Sequence, residues 1–379
     1  MKIYFVSHSS EMAGAEQSLI RLIGSAIARG HTGAVSVPNH GPLAESIGSW
    51  ASSQFVVKAV STHRWMGQRS RGLAGFVRVV QCLLDVPRFL RGFQRARPDA
   101  VVVNTSVTPA PLVAAALLGI PVVTIMRETI ASNPTLKSFL PKGVIKRVIN
   151  RLSASVITVS KLVARQYEYP SVVIYPQIDP VFFAAASERK YHRSNNSVLR
   201  GVMMGYFTPE KGQVDAIQAV RYVHDAGIPM RLDLYGAGSE DYYRTIKEAI
   251  RAHELETFVT VHSPTNKVLD ALRDADVSLI CSRNEAFGKT TAESVLAGTP
   301  VVAYALGGTC EILDAGGGKL VEPSPRKLAE ALVDLNTDPA AIRALTADTE
   351  RAKNNLKERL ENTASEIIAV IEGVVDAKY

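Results

Sequence analysis

From end to end the chain repeats one pattern: a short run of consecutive apolar, mostly β-branched residues, then a stretch with helical spacing. The clearest runs are residues 100–104, 121–126, 156–159, 277–280 and 301–304, with further ones at 2–7, 34–37, 54–60, 172–175, 198–204, 230–235 and 259–262. A strand that is apolar at every position, and not only at alternate ones, is buried on both faces. Such strands belong to parallel sheets covered by helices on either side. A polar stretch without periodicity, YHRSNNS at 191–197, interrupts the series. The chain is therefore α/β, with two parallel-sheet domains joined by a linker and a cleft between the carboxyl edges of the sheets. The boundaries read as 1–176, a linker at 177–197, 198–361, and a closing helix at 362–379 with apolar residues at Ile367, Ile368 and Ile371.

With 379 residues, 46% of them hydrophobic and 21% charged, the chain is long and apolar enough for two large cores. Three cysteines, Cys82, Cys281 and Cys310, are too few and too irregular for a disulfide framework, which suits the cytoplasm. The first residues, MKIYFVSHSS, lack the apolar core of a signal peptide. The most apolar stretch, 101–126, is broken by Asn104, Pro109, Pro111 and Pro121 and reads as strand–helix–strand, not as a membrane span.

The net charge of +7 is concentrated. Nine basic residues, Lys58, Arg64, Arg69, Arg71, Arg78, Arg88, Arg91, Arg95 and Arg97, lie in a segment whose one acid is Asp85. Leu73, Phe76, Val77, Val80, Leu83 and Leu84 share one helical face there; beyond Pro87, Phe89, Leu90 and Phe93 continue an apolar side, while Arg88, Arg91 and Arg95 lie on a different side from these three. Two readings stand at this point. Either the apolar face is core, or residues 63–97 form a basic amphipathic element that meets an anionic membrane surface. No zinc, helix-turn-helix or RNA-binding signature accompanies the charge, so nucleic acid is not an expected partner.

The segment 281–313, CSRNEAFGKTTAESVLAGTPVVAYALGGTCEIL, carries the chemistry. A buried strand runs into a loop bearing Glu285. Phe287-Gly288 opens a helix, Glu293 sits inside it, and Pro300 begins another strand that ends at Gly307-Gly308. Ligands of open α/β sheets bind at the carboxyl edge of the strands. A helix N-terminus suits phosphate, and a carboxylate can accept from two sugar hydroxyls. The expected ligand carries both groups.

Glu285 and Glu293, separated by seven residues, with Phe287-Gly288, Ala297-Gly298-Thr299-Pro300 and Gly307-Gly308 followed by Glu311, resemble the hallmark block of the family-4 retaining glycosyltransferases. That resemblance covers nearly the whole chain. It implies the GT-B fold: two Rossmann-like domains facing across a cleft, with the last helix crossing back to the N-terminal domain. It also implies a nucleotide-diphosphate sugar of UDP or GDP type as donor substrate, with no cofactor and no metal. Its site residues map onto Glu285 and Lys211 for catalysis. The donor would be bound by Gly14, Tyr206, Lys211, Gly236, His262, Glu285, Phe287, Gly288, Lys289, Thr290 and Glu293. Lys211 ends a turn, GYFTPEKG, and would neutralise the leaving diphosphate. Gly236 belongs to a Gly-x-Gly turn, and the main chain at His262 would hold the base.

The chain departs from the family pattern at two positions near the expected site, and also at Pro176-Gln177-Ile178, where a Pro-Asn-Gly turn is usual. Tyr206 stands where an arginine usually follows the glycine, and Arg127-Glu128 stand where a histidine is usual. Asp274-Ala275-Asp276 looks like a metal-binding Asp-x-Asp but falls where acids serve as turn residues. The resemblance implies transfer of a sugar to a saccharide or lipid-linked saccharide in polysaccharide or glycoconjugate assembly. The expected location is the cytoplasm, with peripheral attachment to the inner face of the membrane. An epimerase or hydrolase of the same build, and a catalytically idle sugar-nucleotide binding protein at the membrane, are the competing readings.

Overall fold

The computed structural model describes residues 1–51, 53–68, 70–184 and 198–378. The strands are β1 (Lys2–Val6), β2 (Thr32–Val37), β3 (Phe55–Ala59), β4 (Met66–Gly67), β5 (Ala100–Val103), β6 (Val122–Met126), β7 (Lys137–Ser138), β8 (Ser155–Thr158), β9 (Val172–Val173), β10 (Leu199–Met204), β11 (Met230–Tyr235), β12 (Val259–His262), β13 (Val277–Ile280), β14 (Val301–Tyr304) and β15 (Gly318–Val321). One sheet has the order β3-β2-β1-β5-β6-β8-β9, the other β12-β11-β10-β13-β14-β15. All pairings in both are parallel. β4 and β7 form a separate antiparallel pair.

Every residue of β5, β6, β13 and β14 is buried, which is why these strands read as unbroken apolar runs. Three strands escaped the sequence reading. β15 is an edge strand with no fully buried residue, and β4 and β7 are two residues each, so none has a run to recognise.

The chain divides into two compact units. One is Met1–Gln177 with Asn362–Tyr379, the other Ile178–Glu361. In the first, the closing helix Thr363–Asp376 buries Ile367, Ile368, Ile371 and Val375 and packs on the helix Gly14–Ala28 and on β5 and β8. Glu372 ties it down, accepting from Arg29 Nη1 and pairing with His31 Nε2, each at 2.8 Å. In the second, the helix Gln213–Asp225 buries Ala216, Ile217, Ala219, Val220 and Val223 against β11 and the helix Pro325–Thr337. Of the expected linker, Pro180–Ala184 is a short helix and 185–197 lie outside the described residues.

The helix Gly72–Ala96 settles one open question. Its buried side is Gly75, Cys82, Asp85, Val86, Phe89 and Phe93, with Phe93 edge-on to Tyr4 at 4.8 Å. The stripe from Leu73 to Leu84 points the other way and is exposed, so it is not core. The sequence held two apolar stripes about half a helical turn apart, and only one could face the sheet.

Candidate functional site at the switch point of the second sheet

The strand order of the second sheet reverses between β10 and β13. Connections leave that point in opposite directions, so the loops splay and open a crevice outside the carboxyl ends of the strands. After β10 the chain turns at Gly205 (φ 142°), makes one 3-10 turn at Pro209–Lys211, and passes Gly212 (φ 77°) into the helix Gln213–Asp225. At Gly212 a Cβ would lie 2.6 Å from the carbonyl oxygen of Cys281, just past β13. The N–H of Arg283 donates to the carbonyl of Glu210 at 2.8 Å. These contacts lock the two loops together and bring Lys211 Nζ into a salt bridge with Glu285 Oε1.

Gly307 and Gly308 hold the acid loop from its other side. The N–H of Gly308 donates to the carbonyl of Glu285 at 2.8 Å. A Cβ on Gly307 would lie 2.7 Å from that carbonyl, and one on Gly308 2.4 Å from the carbonyl of Phe287. Phe287 is buried beneath the loop. Gly288 (φ 97°) starts the helix Lys289–Leu296 without a side-chain cap. The first-turn N–H groups at Lys289 and Thr290, which lack intrahelical acceptors, therefore face out of the helix end. One turn on, Glu293 Oε1 is 3.7 Å from Lys289 Nζ. Ser294 Oγ donates to Ser278 Oγ at 2.9 Å and fixes this helix to β13.

Several of the expected residues make main-chain contacts here. Tyr206 is exposed, and its carbonyl accepts from Gln213 Nε2 at 3.2 Å. Gly236 and Gly238 serve loop packing: a Cβ on the former would be 2.0 Å from the carbonyl of Gly205, one on the latter 2.6 Å from that of Phe207. The carbonyl of His262 accepts from the N–H of Gly236 at 3.3 Å. Its ring stacks on Tyr235 at 4.3 Å with planes 10° apart, and its Nε2 is 2.6 Å from Asp233 Oδ1. This flat platform was missed in the sequence, although Tyr235 and His262 end adjacent strands in register. Arg283, in the loop that bears Glu285, is paired with Asp215 at 2.6 Å, and Asp215 also accepts from Tyr304 Oη at 2.9 Å. Burial, with Asp215 nearby, pushes the Cys281 thiol far up, so it stays neutral and unreactive. Asp276 accepts from Arg200, at 2.9 Å from the main chain and 3.1 Å from Nη2. Among the described residues no group of three His, Cys, Asp or Glu side chains gathers as a metal site.

The first sheet has its own switch point, between β1 and β5. Gly14 begins the helix Gly14–Ala28 beside it, and its carbonyl accepts from Ser18 Oγ at 3.0 Å. Glu128, after β6, accepts from Thr105 Oγ1 at 2.6 Å and from Ser106 N and Oγ at 3.1 and 2.8 Å. Arg127 Nε donates to Asn104 Oδ1 at 2.7 Å. Burial draws the Arg127 guanidinium down to about 10, against the pull of Glu16 and Glu128, and leaves it cationic at neutral pH. Glu16 is fully buried, 3.9 Å from His8 Nδ1. Burial also lowers His8, against Glu128 and Glu16, so its neutral form is favoured. Glu16, Asn104, Thr105 and Ser106 were not singled out in the sequence. The signal for the last three was their position as the first polar residues after a buried run.

Residues 13–173 match the family described as "Glycosyl transferase 4-like domain", and residues 186–359 match "Glycosyl transferases group 1". The chain is 32% identical over 151 residues to the 2-deoxystreptamine glucosyltransferase of Streptomyces kanamyceticus, which covers 37% of each chain. It is 37% identical over 91 residues to a D-inositol 3-phosphate glycosyltransferase of Thermobispora bispora, 24% of this chain and 21% of that one. The chain thus spans well under half the length of these curated relatives. Among solved structures, Anabaena HepE in complex with UDP and glucose superposes with a TM-score of 0.76 at 19% identity, over 98% of this chain and 100% of that one. That likeness shows the fold. With adjoining family matches over both units and two parallel sheets of this topology, the chain belongs to the family-4 glycosyltransferases and has the GT-B fold.

Proposed function

We propose that the protein moves a sugar from a nucleoside-diphosphate donor to an acceptor hydroxyl with retention of anomeric configuration. The observation that carries this reading is the Lys211–Glu285 pair, built at the sheet's switch point by Gly212, Gly307 and Gly308 beside the helix bearing Glu293. An ammonium has three donors, and Glu285 takes one of them. The others are available to a diphosphate as its bond to the sugar breaks, which is charge stabilisation aimed at the transition state and supplied without a metal. Glu285 also orients the donor sugar through its hydroxyls. First-turn amides at Gly288, Lys289 and Thr290 receive phosphate and sugar oxygens, and Glu293 grips the ribose diol. Gly14, Tyr206, Gly236 and Phe287 shape the donor pocket, and the main chain at His262 meets the base.

In the reaction the bond between the anomeric carbon and the phosphate oxygen breaks, and its electron pair leaves with the diphosphate. The acceptor oxygen bonds to the same face of that carbon, and its proton passes to the departing phosphate. No side-chain base is needed. A UDP donor is favoured because HepE holds UDP and glucose. We take the acceptor to be a saccharide or lipid-linked saccharide in polysaccharide or glycoconjugate assembly, met in the cytoplasm at the membrane's inner face.

The test is calorimetric titration with UDP, GDP, ADP and their sugar conjugates in EDTA, on the wild type, Lys211→Ala and Glu293→Ala. Proton NMR of the product's anomeric signal accompanies it. One nucleotide binding without metal and weakened in both variants, with retained configuration in the product, is the expected result. Donor consumed without an acceptor would favour the epimerase or hydrolase. Binding without turnover across a broad acceptor panel would favour the idle binding protein, and no binding by any nucleotide would sink the reading.

A further inference from the structure

The helix Gly72–Ala96 presents one continuous solvent face with two chemistries. Its N-terminal half exposes Leu73 (79%), Phe76, Val77, Val80, Leu83 (60%) and Leu84 (66%). From Leu73 to Leu84 this stripe runs about 16 Å at 1.5 Å per residue. At 100° per residue, Arg88, Arg91 and Arg95 continue the same face, and all three are exposed. Phe139 widens the apolar end, packing edge-on to Phe76 with ring centres 5.6 Å apart. Burial, with Arg71 nearby, lowers the Lys142 ammonium, and these two residues add cations at that end.

The segment's one acid, Asp85, is fully buried, where Arg88 and His63 pair with it. The exposed face therefore carries cations and no anion. Exposed clusters of large apolar side chains mark interaction surfaces. A face that is apolar along one half and cationic along the other fits an anionic leaflet, with apolar residues at the acyl boundary and guanidiniums at the head groups. A second copy of the chain would meet it with the same cations. Among the described residues no helix is long and apolar enough to cross a membrane, so contact of this kind is interfacial.

We infer that the helix Gly72–Ala96 docks the protein on an anionic lipid bilayer. This stands apart from the donor-site reading, since none of the donor residues lies on the helix.

The full chain is sedimented with vesicles of phosphatidylglycerol mixed with phosphatidylcholine, and with phosphatidylcholine alone. Wild type binds the anionic vesicles, loses binding as salt rises, and leaves the neutral ones unbound. Paired Leu83→Glu and Leu84→Glu lower the partition coefficient about tenfold or more. Paired Arg91→Ala and Arg95→Ala lower it about 30-fold, at roughly fivefold per cation near an anionic leaflet. Arg88 is left in place because it pairs with buried Asp85. All four altered side chains are exposed, so the thermal melt and nucleotide binding should be unchanged in both variants. Wild type that fails to bind anionic vesicles, or variants that bind like wild type, would overturn the inference. So would a dimer, seen by ultracentrifugation, that the leucine variants dissolve while vesicles never bind.

Discussion

At the second sheet's switch point, each named cation is in reach of a carboxylate: Lys211 of Glu285, Lys289 of Glu293, Arg283 of Asp215. At the first sheet's, similar residue types gather more loosely, with His8 Nδ1 3.9 Å from Glu16 Oε1. Glu16 Oε1, His8 Nδ1 and Arg127 Nη2 are buried with no hydrogen-bond partner among the described residues. The loops account for the difference. In the second unit Gly212, Gly307 and Gly308 let backbones approach to distances that a Cβ would forbid, so the acid loop has one position. In the first unit His8, Arg127 and Glu128 follow strand ends and Glu16 sits in the first turn of the helix Gly14–Ala28, while Arg127 and Glu128 are held by short polar side chains, Asn104, Thr105 and Ser106. Preorganised charge at the one, and buried charge short of partners at the other, suits chemistry to the second unit and adaptable recognition to the first.

The strongest way to break this comparison is Lys211→Ala. If the second unit carries the chemistry, turnover at saturating donor falls about 100-fold, as for loss of one transition-state donor. Arg127→Ala assayed beside it should act mainly through acceptor KM, and a larger kcat loss there would reverse the assignment. Next comes Gly308→Ala. Its Cβ would meet the Phe287 carbonyl, so we expect about 1–3 kcal/mol lost in urea unfolding, together with weaker donor binding. Gly373→Ala is the control. Nothing lies within 4 Å of a Cβ there, and in a helix the change should stabilise by about 0.5–1 kcal/mol. Glu293→Ala should weaken nucleotide binding about tenfold, read by calorimetry, and leave kcat at saturating donor little altered.

The smallest effect tests the first unit. His8 is lowered in the folded state, so below its unfolded value of about 6.5 the unfolded chain binds a proton that the folded one refuses. Stability should therefore fall as pH drops through that range and be flat above it. His8→Gln should reduce the slope of urea midpoint against pH; an unchanged slope would remove His8 from the account.

The sequence by itself determined the fold class. A strand buried on both faces must be apolar at each position, and the runs at β5, β6, β13 and β14 can be read without coordinates. It also displayed the acids at 285 and 293 on either side of a helix start, because that spacing is local. It could not choose between the two apolar stripes of the helix Gly72–Ala96. Periodicity records which residues share a face, and only packing against Tyr4 and the sheet decides which face is core. Nor could it pair Lys211 with Glu285, 74 residues apart. β11 and β12 intervene in the chain, and the two residues meet only because the sheet places β10 directly beside β13. The same holds for His8, Asn104 and Glu128, which follow β1, β5 and β6 and are gathered by strand order. Hydrophobic pattern acts residue by residue along the chain, whereas a site is made by parallel strands delivering distant loops to one edge, and that delivery exists only in the folded sheet.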